Sequence, residues 1–588
     1  MEHIETKNLS YYLKKSQNLK SNKNFSAKIK IAFLSSFTID GLPEIVCVKC
    51  AENNIDCVSY NGPYNQYAQQ ILDKESDLYK FQPDITFVII DNRTIFGDLF
   101  YDSSLLSVSE RKKTVKDKVE NLIQLTTLFS NQTKSNVVVS NIFLPHYTTY
   151  GISESKIDYG LKNMIQDFNS ILESKLKNES SQHIIDYNSF VSKFGEINVF
   201  DFKQYFSGDI KIAFDYMPYF ADEIMSFVKP FVGKNKKCIV LDLDNTLWGG
   251  IIGEDGFDGI KLGNSPSGIA FVEFQKYLLS LNKRGIILAI NSKNNKLDAM
   301  KVIKEHPNMI LKEENFATFQ INWNDKVTNM KEIARELNIG LDSIVFFDDD
   351  KINREIMKKA IPEVYTVDLP DEASNYVSAL QKINDFNVLK ITDEDQKRAK
   401  TYSEQRKRNE FAKTRNLEEF LKDLEIQIDI KPADSFTIPR ISQLTLKTNQ
   451  FNLTTKRYQE SEIKQFVNDE KFIVNSVNVK DKFGDNGITS VFIIKKNFNE
   501  WILDTFLLSC RVMGRDVEKA IMSFILSEAK KHDISVVKGQ FIQTEKNHPS
   551  SSFFLDCGFT KEGNFWIFNL EDKIKTPKYI SINKKNNV

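Results

Sequence analysis

The stretch CIVLDLDNT at residues 238–246 decides the fold of the middle of this chain. It opens with an apolar run that is typical of a strand buried on both faces, and it closes with Asp242, Asp244 and Thr246. Residues two apart in an extended strand point to the same side, and a turn near Asn245 would let both carboxylates meet one ligand. Because neighbouring carboxylates repel each other, they favour a cation such as Mg²⁺, which binds few carboxylates together with a substrate phosphate. The stretch therefore predicts a strand that ends in a phosphate-handling metal site.

Strand and helix patterns alternate around this stretch, within residues 233–390. Two further strands and three helices are predicted from apolar runs and helical spacing: strands at 286–291 and 343–349, and helices at 269–284, 297–305 and 326–337. This order favours a doubly wound parallel sheet, whose ligands bind at the carboxyl ends of the strands.

Polar residues follow the predicted strands at those carboxyl ends. Ser292 ends one strand, where its hydroxyl and the start of the next helix are suited to bind phosphate. Lys326 opens a helix and is suited to neutralise a transferred phosphoryl group, while Asp348 and Asp349 would complete the metal site. Singly, each residue is explained by a cap, a turn or a solvated acidic loop. Together and in this order they indicate catalysis, with one Asp attacking phosphorus and the other handling protons.

The DxDxT pattern resembles the first motif of the haloacid dehalogenase (HAD) phosphotransferase superfamily. A closer resemblance is to the FkbH-like family, with a phosphatase domain of subfamily IIIC, and it is carried by KCIVLDLDNTLWGGIIGEDGFDGIKLG, SKNN, HPNMIL, INWNDK and LNIGLDSIVFFDDD. The resemblance implies that Asp242 is the nucleophile and Asp244 the general acid and base. It further implies two sets of ligands: Thr246, Ser292 and Lys326 for phosphate, and Asp242, Asp244, Asp348 and Asp349 for Mg²⁺.

The same resemblance implies a reaction and a partner. Family members dephosphorylate 1,3-bisphosphoglycerate and load a glyceryl unit onto the phosphopantetheine thiol of an acyl carrier protein, in polyketide-type or other secondary-metabolite biosynthesis. Glyceryl-loading members carry Cys before the second-motif serine, whereas this chain has Asn291. Two alternatives therefore stay open. One is a phosphatase for a sugar phosphate or other small metabolite with an accessory acyltransferase domain, and the other is a non-enzymatic docking scaffold for carrier proteins.

The amino-terminal part, residues 1–232, alternates strands and helices and resembles an SGNH-hydrolase-like α/β domain. Ser35 and Ser36 follow its first strand. Such hydrolases need a late DxxH pair, and here His183 precedes Asp186 instead of following it. We therefore expect a domain that does not catalyse hydrolysis.

The carboxyl-terminal part, residues 424–572, reads as α+β and resembles GNAT acyltransferases. Its turn of arginines and glycine before a helix is suited to bind pyrophosphate. The resemblance implies pantetheine or coenzyme A contacts: Arg511, Gly514, Arg515 and Asn547. Asp516 stands where the pattern has a small residue, and Phe554 stands where many such enzymes have a tyrosine acid.

Composition limits the classes of partner and the cellular location that we expect. The 588 residues contain 79 basic and 79 acidic side chains, so no overall charge favours nucleic acid or an anionic membrane as partner. No run of about 18 apolar residues is present, and six cysteines are too few for a disulfide scaffold, so we expect a cytoplasmic enzyme. Residues 391–423 are predicted as a solvated helical linker and residues 573–588 as a disordered tail.

Overall fold

The computed structural model describes residues 8–19, 25–412 and 416–584. The chain forms two compact units. One extends to Val232 and includes Asn387–Lys390, and the other comprises Gly233–Phe386 and the residues from Ile391 onward. Among the described helices, none has the length and apolar character needed to cross a membrane.

The first unit is built on a five-stranded parallel sheet of order β2-β1-β3-β4-β5. Its strands are β1 Ala27–Ser35, β2 Ile55–Asn61, β3 Ile85–Ile89, β4 Asn136–Ser140 and β5 Gln182–Ile185. Its helices are α1 Leu9–Gln17, α2 Leu42–Glu52, α3 Tyr67–Leu72, α4 Asp77–Phe81, α5 Asn92–Phe96, α6 Val108–Gln132, α7 Leu161–Leu176, α8 Tyr187–Phe194, α9 Glu196–Val199, α10 Phe202–Gly208 and α11 Met217–Phe231. The order is that of a doubly wound α/β fold.

Helices cover both faces of this sheet, which explains why its inner strands are apolar at nearly every position. Phe33 and Phe87 pack into the core on one face, while Leu34 and Val88 pack into the core on the other. Ring centroids of Phe33 and Phe87 lie 5.6 Å apart in a stacked pair across neighbouring strands.

The second unit begins with another five-stranded parallel sheet, of order β10-β9-β6-β7-β8. Its strands are β6 Cys238–Leu241, β7 Ile287–Ser292, β8 Phe316–Ile321, β9 Ile344–Phe347 and β10 Tyr365–Thr366. Its helices are α12 Ile252–Gly259, α13 Ile269–Lys283, α14 Lys296–Glu305, α15 Lys326–Leu337, α16 Lys351–Ala360 and α17 Tyr376–Gln381. The doubly wound parallel sheet predicted from the sequence is confirmed. The strand order reverses at β6, whose neighbours are β7 and β9, so a ligand crevice is expected where β6 ends.

Strand β8 has no counterpart among the strands predicted from the sequence. Its residues FATFQI mix apolar and polar side chains because the strand lies at the edge of the sheet. Gln320 donates from Nε2 to Oε1 of Glu336 on α15 at 3.2 Å, so its polar side chain is satisfied by a helix. An edge strand of this kind lacks the apolar run by which β6 and β9 are recognised.

The carboxyl-terminal part of the second unit is α+β, with an eight-stranded sheet of order β16-β17-β15-β14-β13-β12-β11-β18. Its strands are β11 Gln427–Pro432, β12 Phe472–Asp481, β13 Gly484–Lys496, β14 Glu500–Leu508, β15 Val536–Gly539, β16 Thr560–Glu562, β17 Phe565–Asn569 and β18 Ser581–Lys584. Its helices are α18 Asp393–Ala412, α19 Leu417–Asp423, α20 Ile438–Lys447, α21 Glu460–Asn468, α22 Val517–Lys531 and α23 Phe553–Asp556. This is the α+β architecture predicted for an acyltransferase-like domain.

The predicted disordered tail is wrong for residues 581–584. These residues form β18, which pairs in parallel with β11 from Gln427↔Ser581 to Ile430↔Lys584. Ile580 is buried, and the Tyr579 hydroxyl donates to Asp516. The strand forms because β11 would otherwise present an unpaired edge. The last four residues of the predicted tail lie outside the described part of the chain.

Helix α18 is highly charged, but it is not the solvated connector that its composition suggested. Arg408 is completely buried and binds both carboxylate oxygens of Asp481 through Nε, at 2.8 and 3.0 Å. Asp395 is 2% exposed and pairs with Arg398. The charges of this helix therefore hold it against neighbouring elements instead of keeping it in solvent.

Candidate active site

The two aspartates of the DxDxT stretch follow β6, where the chain turns sharply. The Asp242 N–H donates to the Phe347 carbonyl at 3.0 Å, which continues the pairing of β6 with β9. Asn245 has a φ of 53°, and its Oδ1 accepts a hydrogen bond from the Gly250 N–H at 2.8 Å. Asparagine tolerates this left-handed conformation better than most residues, so it permits the turn expected from the sequence.

Three carboxylates meet beneath this turn. Ligand atoms of Asp242, Asp348 and Asp349 all lie within 4.8 Å of one another. Lys326 places its ammonium among them, 2.8 Å from Oδ2 of Asp242 and 2.6 Å from Oδ2 of Asp348. Lys326 stands at this point because Asp325 caps α15, accepting the Thr328 N–H at 2.8 Å.

Burial and mutual repulsion perturb the acids of this cluster. Burial, and next the charge of Asp242, raise the pKa of Asp348 to about 7 and that of Asp349 to about 6. Burial by itself opposes the charged form of Lys326, but the carboxylates of Asp242 and Asp348 raise its pKa nonetheless. The cluster is a functional-site candidate because such shifts concentrate in catalytic clefts.

The donor set fits a divalent cation. Three carboxylates face one ammonium, so the cluster carries two uncompensated negative charges when all four groups are ionised. Oδ1 of Asp242 is buried and has no hydrogen-bond partner among the described residues. A small hard cation bound by oxygen ligands would satisfy both conditions, and Mg²⁺ is the common choice beside a phosphate.

Asp244 is oriented differently from its neighbour. Its Oδ1 accepts hydrogen bonds from Nε1 of Trp248 at 2.9 Å and from the Ile252 N–H at 3.1 Å, and its Oδ2 accepts from Nδ2 of Asn294 at 2.9 Å. Burial raises its pKa, although these three donors oppose the shift. Its carboxylate is not part of the three-acid cluster in the described residues. These hydrogen bonds hold a second carboxyl group near Asp242, an arrangement that is suited to proton transfer.

The residues predicted to bind phosphate lie close to these acids in the sheet. Ser292 closes β7, the neighbour of β6, and is 1% exposed. Thr246 is completely buried, and its Oγ1 has no partner among the residues described. Asn291 is also buried and donates from Nδ2 to the Lys326 carbonyl at 2.9 Å, which ties β7 to the start of α15.

An open cleft of about 590 Å³ leads to the acids. It is lined by Asp242, Asp244, Asn245, Ile251, Gly253, Glu254, Lys293, Asn294, Asn295, Trp323 and Asp349. Trp323 is 75% exposed, which is unusual for so large a ring and provides a surface on which a ligand can pack. Four residues of this site received no role from the sequence, namely Trp248, Lys293, Asn294 and Trp323. Two of them, Lys293 and Asn294, could have been predicted, because they follow directly on β7 at the carboxyl end of the sheet.

Comparison with known proteins shows what the chain is similar to. Residues 30–229 match the family model of the FkbH amino-terminal domain. Over these residues, the chain is similar to the amino-terminal domain of the FkbH family. Among solved structures, it is similar to the amino-terminal part of a Bacteroides fragilis protein, described as containing a phosphatase domain complexed with Mg. The two are 29% identical with a TM-score of 0.59, over 64% of this chain and 99% of that chain.

Other similarities of the chain to solved structures are weaker. The ribosomal-protein-S18-alanine N-acetyltransferase from Escherichia coli is 9% identical over 24% of this chain and 94% of its own, with a TM-score of 0.20. Spermidine N-acetyltransferase from Vibrio cholerae, solved with CoA and spermine, is 11% identical over 25% of this chain and 96% of its own, with a TM-score of 0.21. Scores this low carry no argument about what the chain binds. No curated protein matches the sequence.

In the first unit, the two serines at the end of β1 make local contacts. Oγ of Ser36 accepts the Asp91 N–H at 3.1 Å, and Oγ of Ser35 accepts the Phe37 N–H at 3.2 Å. His183 lies on β5 with its ring tilted against Phe227, and its Nε2 has no partner in the described part of the chain. Burial lowers its pKa to about 4. The described hydrogen bonds of Ser36 thus include no histidine.

In the carboxyl-terminal domain, two of the four predicted pantetheine contacts are engaged within the protein. Arg515 donates to Asp481 at 3.1 Å and to the Arg511 carbonyl at 2.7 Å, and it also contacts Gln405. Asn547 is completely buried, and its Nδ2 donates to the carbonyls of Asn452 at 3.0 Å and Ile542 at 2.9 Å.

The other two predicted contacts lie in the turn before α22. Gly514 has a φ of 74°, and a Cβ there would meet no atom within 4 Å. Nε of Arg511 donates to Oγ of Ser509 at 3.3 Å. Phe554, at the position of the missing tyrosine acid, is buried and stacks on Trp566 with ring centroids 5.9 Å apart.

Proposed function

We propose that the FkbH-like chain is a Mg²⁺-dependent phosphatase of HAD type that dephosphorylates a three-carbon acid of the 1,3-bisphosphoglycerate kind through an aspartyl-phosphate. We further propose that it passes the glyceryl group to an acyl carrier protein in polyketide-type or other secondary-metabolite biosynthesis. The observation that carries the phosphatase part is Oδ1 of Asp242, which has no hydrogen-bond partner among the described residues and lies at the cleft beside Lys326 and two further acids. The similarity to the Mg-bound phosphatase domain supports it.

The residues present can perform each proton and phosphoryl step. Oδ1 of Asp242 attacks phosphorus, the bond from phosphorus to the leaving oxygen breaks, and Asp244 gives that oxygen a proton. Asp244 then takes a proton from water, which attacks the aspartyl-phosphate, releases inorganic phosphate and restores Asp242. Lys326 stabilises charge on the phosphoryl oxygens. A Mg²⁺ ion held by Asp242, Asp348 and Asp349 would supply further charge neutralisation when bound.

Transfer to a carrier protein requires a second bond change. Asp242 would remove the 3-phosphate and leave the acyl phosphate intact. The thiol of phosphopantetheine would then attack the acyl carbon, expelling the remaining phosphate and forming a thioester. Asn291 cannot hold the acyl group as a thioester, so we propose direct attack by the carrier thiol.

The test combines the full chain, Mg²⁺, 1,3-bisphosphoglycerate and a carrier protein that bears phosphopantetheine. We expect inorganic phosphate in solution and a carrier whose mass rises by one glyceryl group. The same carrier without phosphopantetheine is the control and should gain no mass. Phosphate release with no mass change of the loaded carrier would remove the transfer half of the proposal and leave the phosphatase half.

A second candidate is a phosphatase for a sugar phosphate or another small metabolite, with an accessory acyltransferase domain. Asn291 favours it, because its buried amide binds the Lys326 carbonyl where glyceryl-loading members have a thiol. Release of phosphate from sugar phosphates at rates above that from 1,3-bisphosphoglycerate, with no effect of carrier protein, would decide for this candidate.

A further inference from the structure

Two cysteine thiols meet in the first unit, on residues that the phosphatase site does not use. Cys47 lies on α2 and Cys57 on β2, and their Sγ atoms are 3.1 Å apart. The two elements follow each other in the chain and are joined by the short turn at Asn53 and Asn54. Asn54 has a φ of 57°, a left-handed conformation that lets the chain reverse there. All six cysteines are free thiols in the structure, so this pair is reduced.

The spacing of the cysteines suggests a different pair from the one that the fold brings together. Cys47 and Cys50 have the CxxC spacing of many redox pairs. In the structure, however, Cys50 is completely buried, and its Sγ lies 3.7 Å from Sδ of Met225 on α11. Cys47 and Cys57 are both half-buried, so a small oxidant reaches them more readily than it reaches Cys50. The fold therefore offers Cys57 as the partner of Cys47.

The hydrogen bond between the two sulfurs makes the thiols unequal. It lowers the pKa of Cys47, a shift that burial opposes and the hydroxyl of Ser59 on β2 supports. The same hydrogen bond raises the pKa of Cys57, and contact with Cys50 and burial add to that rise. The thiolate is the reactive form of cysteine, so Cys47 is the thiol that an oxidant meets first, with the protonated thiol of Cys57 beside it.

We propose that Cys47 and Cys57 form a reversible disulfide when the protein meets a peroxide. The Cys47 thiolate attacks one oxygen of hydrogen peroxide, the O–O bond breaks, and hydroxide leaves and takes up the proton that Cys47 had lost. Cys47 is then a sulfenic acid. The sulfur of Cys57 attacks the sulfur of Cys47, the S–O bond breaks, and water leaves with the proton of Cys57. Two thiols are oxidised and one peroxide is reduced, which gives one disulfide and two water molecules.

The positions of the two thiols favour this bond. A disulfide holds its sulfurs about 2 Å apart, so the pair has to approach by only about 1 Å. The bond links α2 to β2 and restricts the unfolded chain, so it stabilises the first unit. Disulfides of proteins in reducing compartments are usually transient and redox-sensing. We therefore expect an excess of a small thiol to reverse the reaction.

Peptide mapping of the full chain tests which thiols are joined. The reduced protein is treated with hydrogen peroxide, the remaining thiols are alkylated, and trypsin then cleaves after Lys49, between Cys47 and Cys50. We expect the peptide that contains Cys47 to be joined to the next peptide through Cys57, with Cys50 alkylated. The intact protein should lose the mass of two hydrogen atoms, and dithiothreitol should restore it.

Two variants separate the proposed pair from the third thiol. Cys50→Ser should form the same link, whereas Cys57→Ser should leave the two peptides apart. The Tm of each reduced variant shows whether it is folded, and peroxide should raise the Tm of the wild type and of Cys50→Ser but not that of Cys57→Ser. The mapping of the wild type is decisive without either variant. If peroxide leaves Cys47 and Cys57 free for alkylation, or links Cys57 to Cys50 in place of Cys47, the proposal is overturned.

Discussion

Asn294 fixes the orientation of the Asp244 carboxyl group, for which we propose a role in proton transfer. Its Nδ2 donates to Oδ2 of Asp244 at 2.9 Å, while Trp248 and the Ile252 N–H hold Oδ1. Without the hydrogen bond from Asn294, Oδ2 of Asp244 is no longer held in place, and the carboxyl group loses its alignment with the leaving oxygen. We predict that Asn294→Ala lowers kcat for phosphate release about tenfold to a hundredfold with little change in KM. The neighbouring Asn295→Ala is the control, since Asn295 caps α14 and is not among the described hydrogen-bond partners of Asp244; an equal loss in both variants would contradict the prediction.

Mg²⁺ binding should depend on pH because the cluster acids hold protons in the metal-free protein. A folded-state pKa of about 7 for Asp348 and about 6 for Asp349 lies above their ordinary value of 3.8. The folded state therefore retains protons that the unfolded state has lost, and these groups cost stability as pH rises from about 4 to about 7. Mg²⁺ must displace the same protons. We predict a larger Mg²⁺-induced rise in Tm at pH 8 than at pH 5, and the reverse order would count against the assignment of these acids as ligands.

Among the single residues of the site, the aspartates and Lys326 could be predicted from the sequence, because the motifs place them at the ends of strands and at the start of a helix. It gave no role to Asn294 or Trp248. Both residues act through their distance to Asp244. The turn after β6 sets this distance for Trp248, and the pairing of β7 with β6 sets it for Asn294. Nor could the sequence show that Asn547 and Arg515 are engaged within their domain, since their partners Asn452 and Asp481 are distant in the chain.

Among the elements, α18 departs most from its sequence pattern. Its many charges predict exposure, yet Arg408 is completely buried and paired with Asp481, which is itself reached by Arg515. Charge alone cannot separate a solvated helix from one whose ions are paired in the interior, because the partners lie on other elements. The apolar strands β6 and β9 were predicted correctly because burial on both faces requires an unbroken run of apolar residues, which is visible in the sequence.

Removing Arg408 should destabilise the second unit strongly. Arg408→Ala leaves the buried Asp481 with one of its two arginine partners, and an incompletely compensated buried charge is costly. We predict a loss of about 3–5 kcal/mol in the free energy of unfolding of that unit, measured by urea denaturation. Arg335→Ala, which breaks an exposed pair with Glu332, is the matched control and should cost about 1 kcal/mol or less. Similar losses in the two variants would show that α18 does not depend on its buried pair.

For the whole molecule, the equal count of 79 basic and 79 acidic residues conceals a local imbalance of charge. In the three-acid cluster, the carboxylates of Asp242, Asp348 and Asp349 meet the single ammonium of Lys326. The architecture of two α/β sheets followed by an α+β domain was predicted from strand and helix patterns. The pairing of β18 with β11 was not, because it joins residues about 150 positions apart.

The central claim, that Asp242 is the nucleophile of a Mg²⁺-dependent phosphatase, is tested most directly by phosphate release from 1,3-bisphosphoglycerate above the spontaneous rate. The comparison uses wild type, Asp242→Asn and the exposed control Asp258→Asn, each with Mg²⁺ and with EDTA. We predict release by wild type and Asp258→Asn in Mg²⁺, a loss of about a thousandfold or more in Asp242→Asn, and loss in all three proteins with EDTA. Release by Asp242→Asn at the wild-type rate would contradict the account.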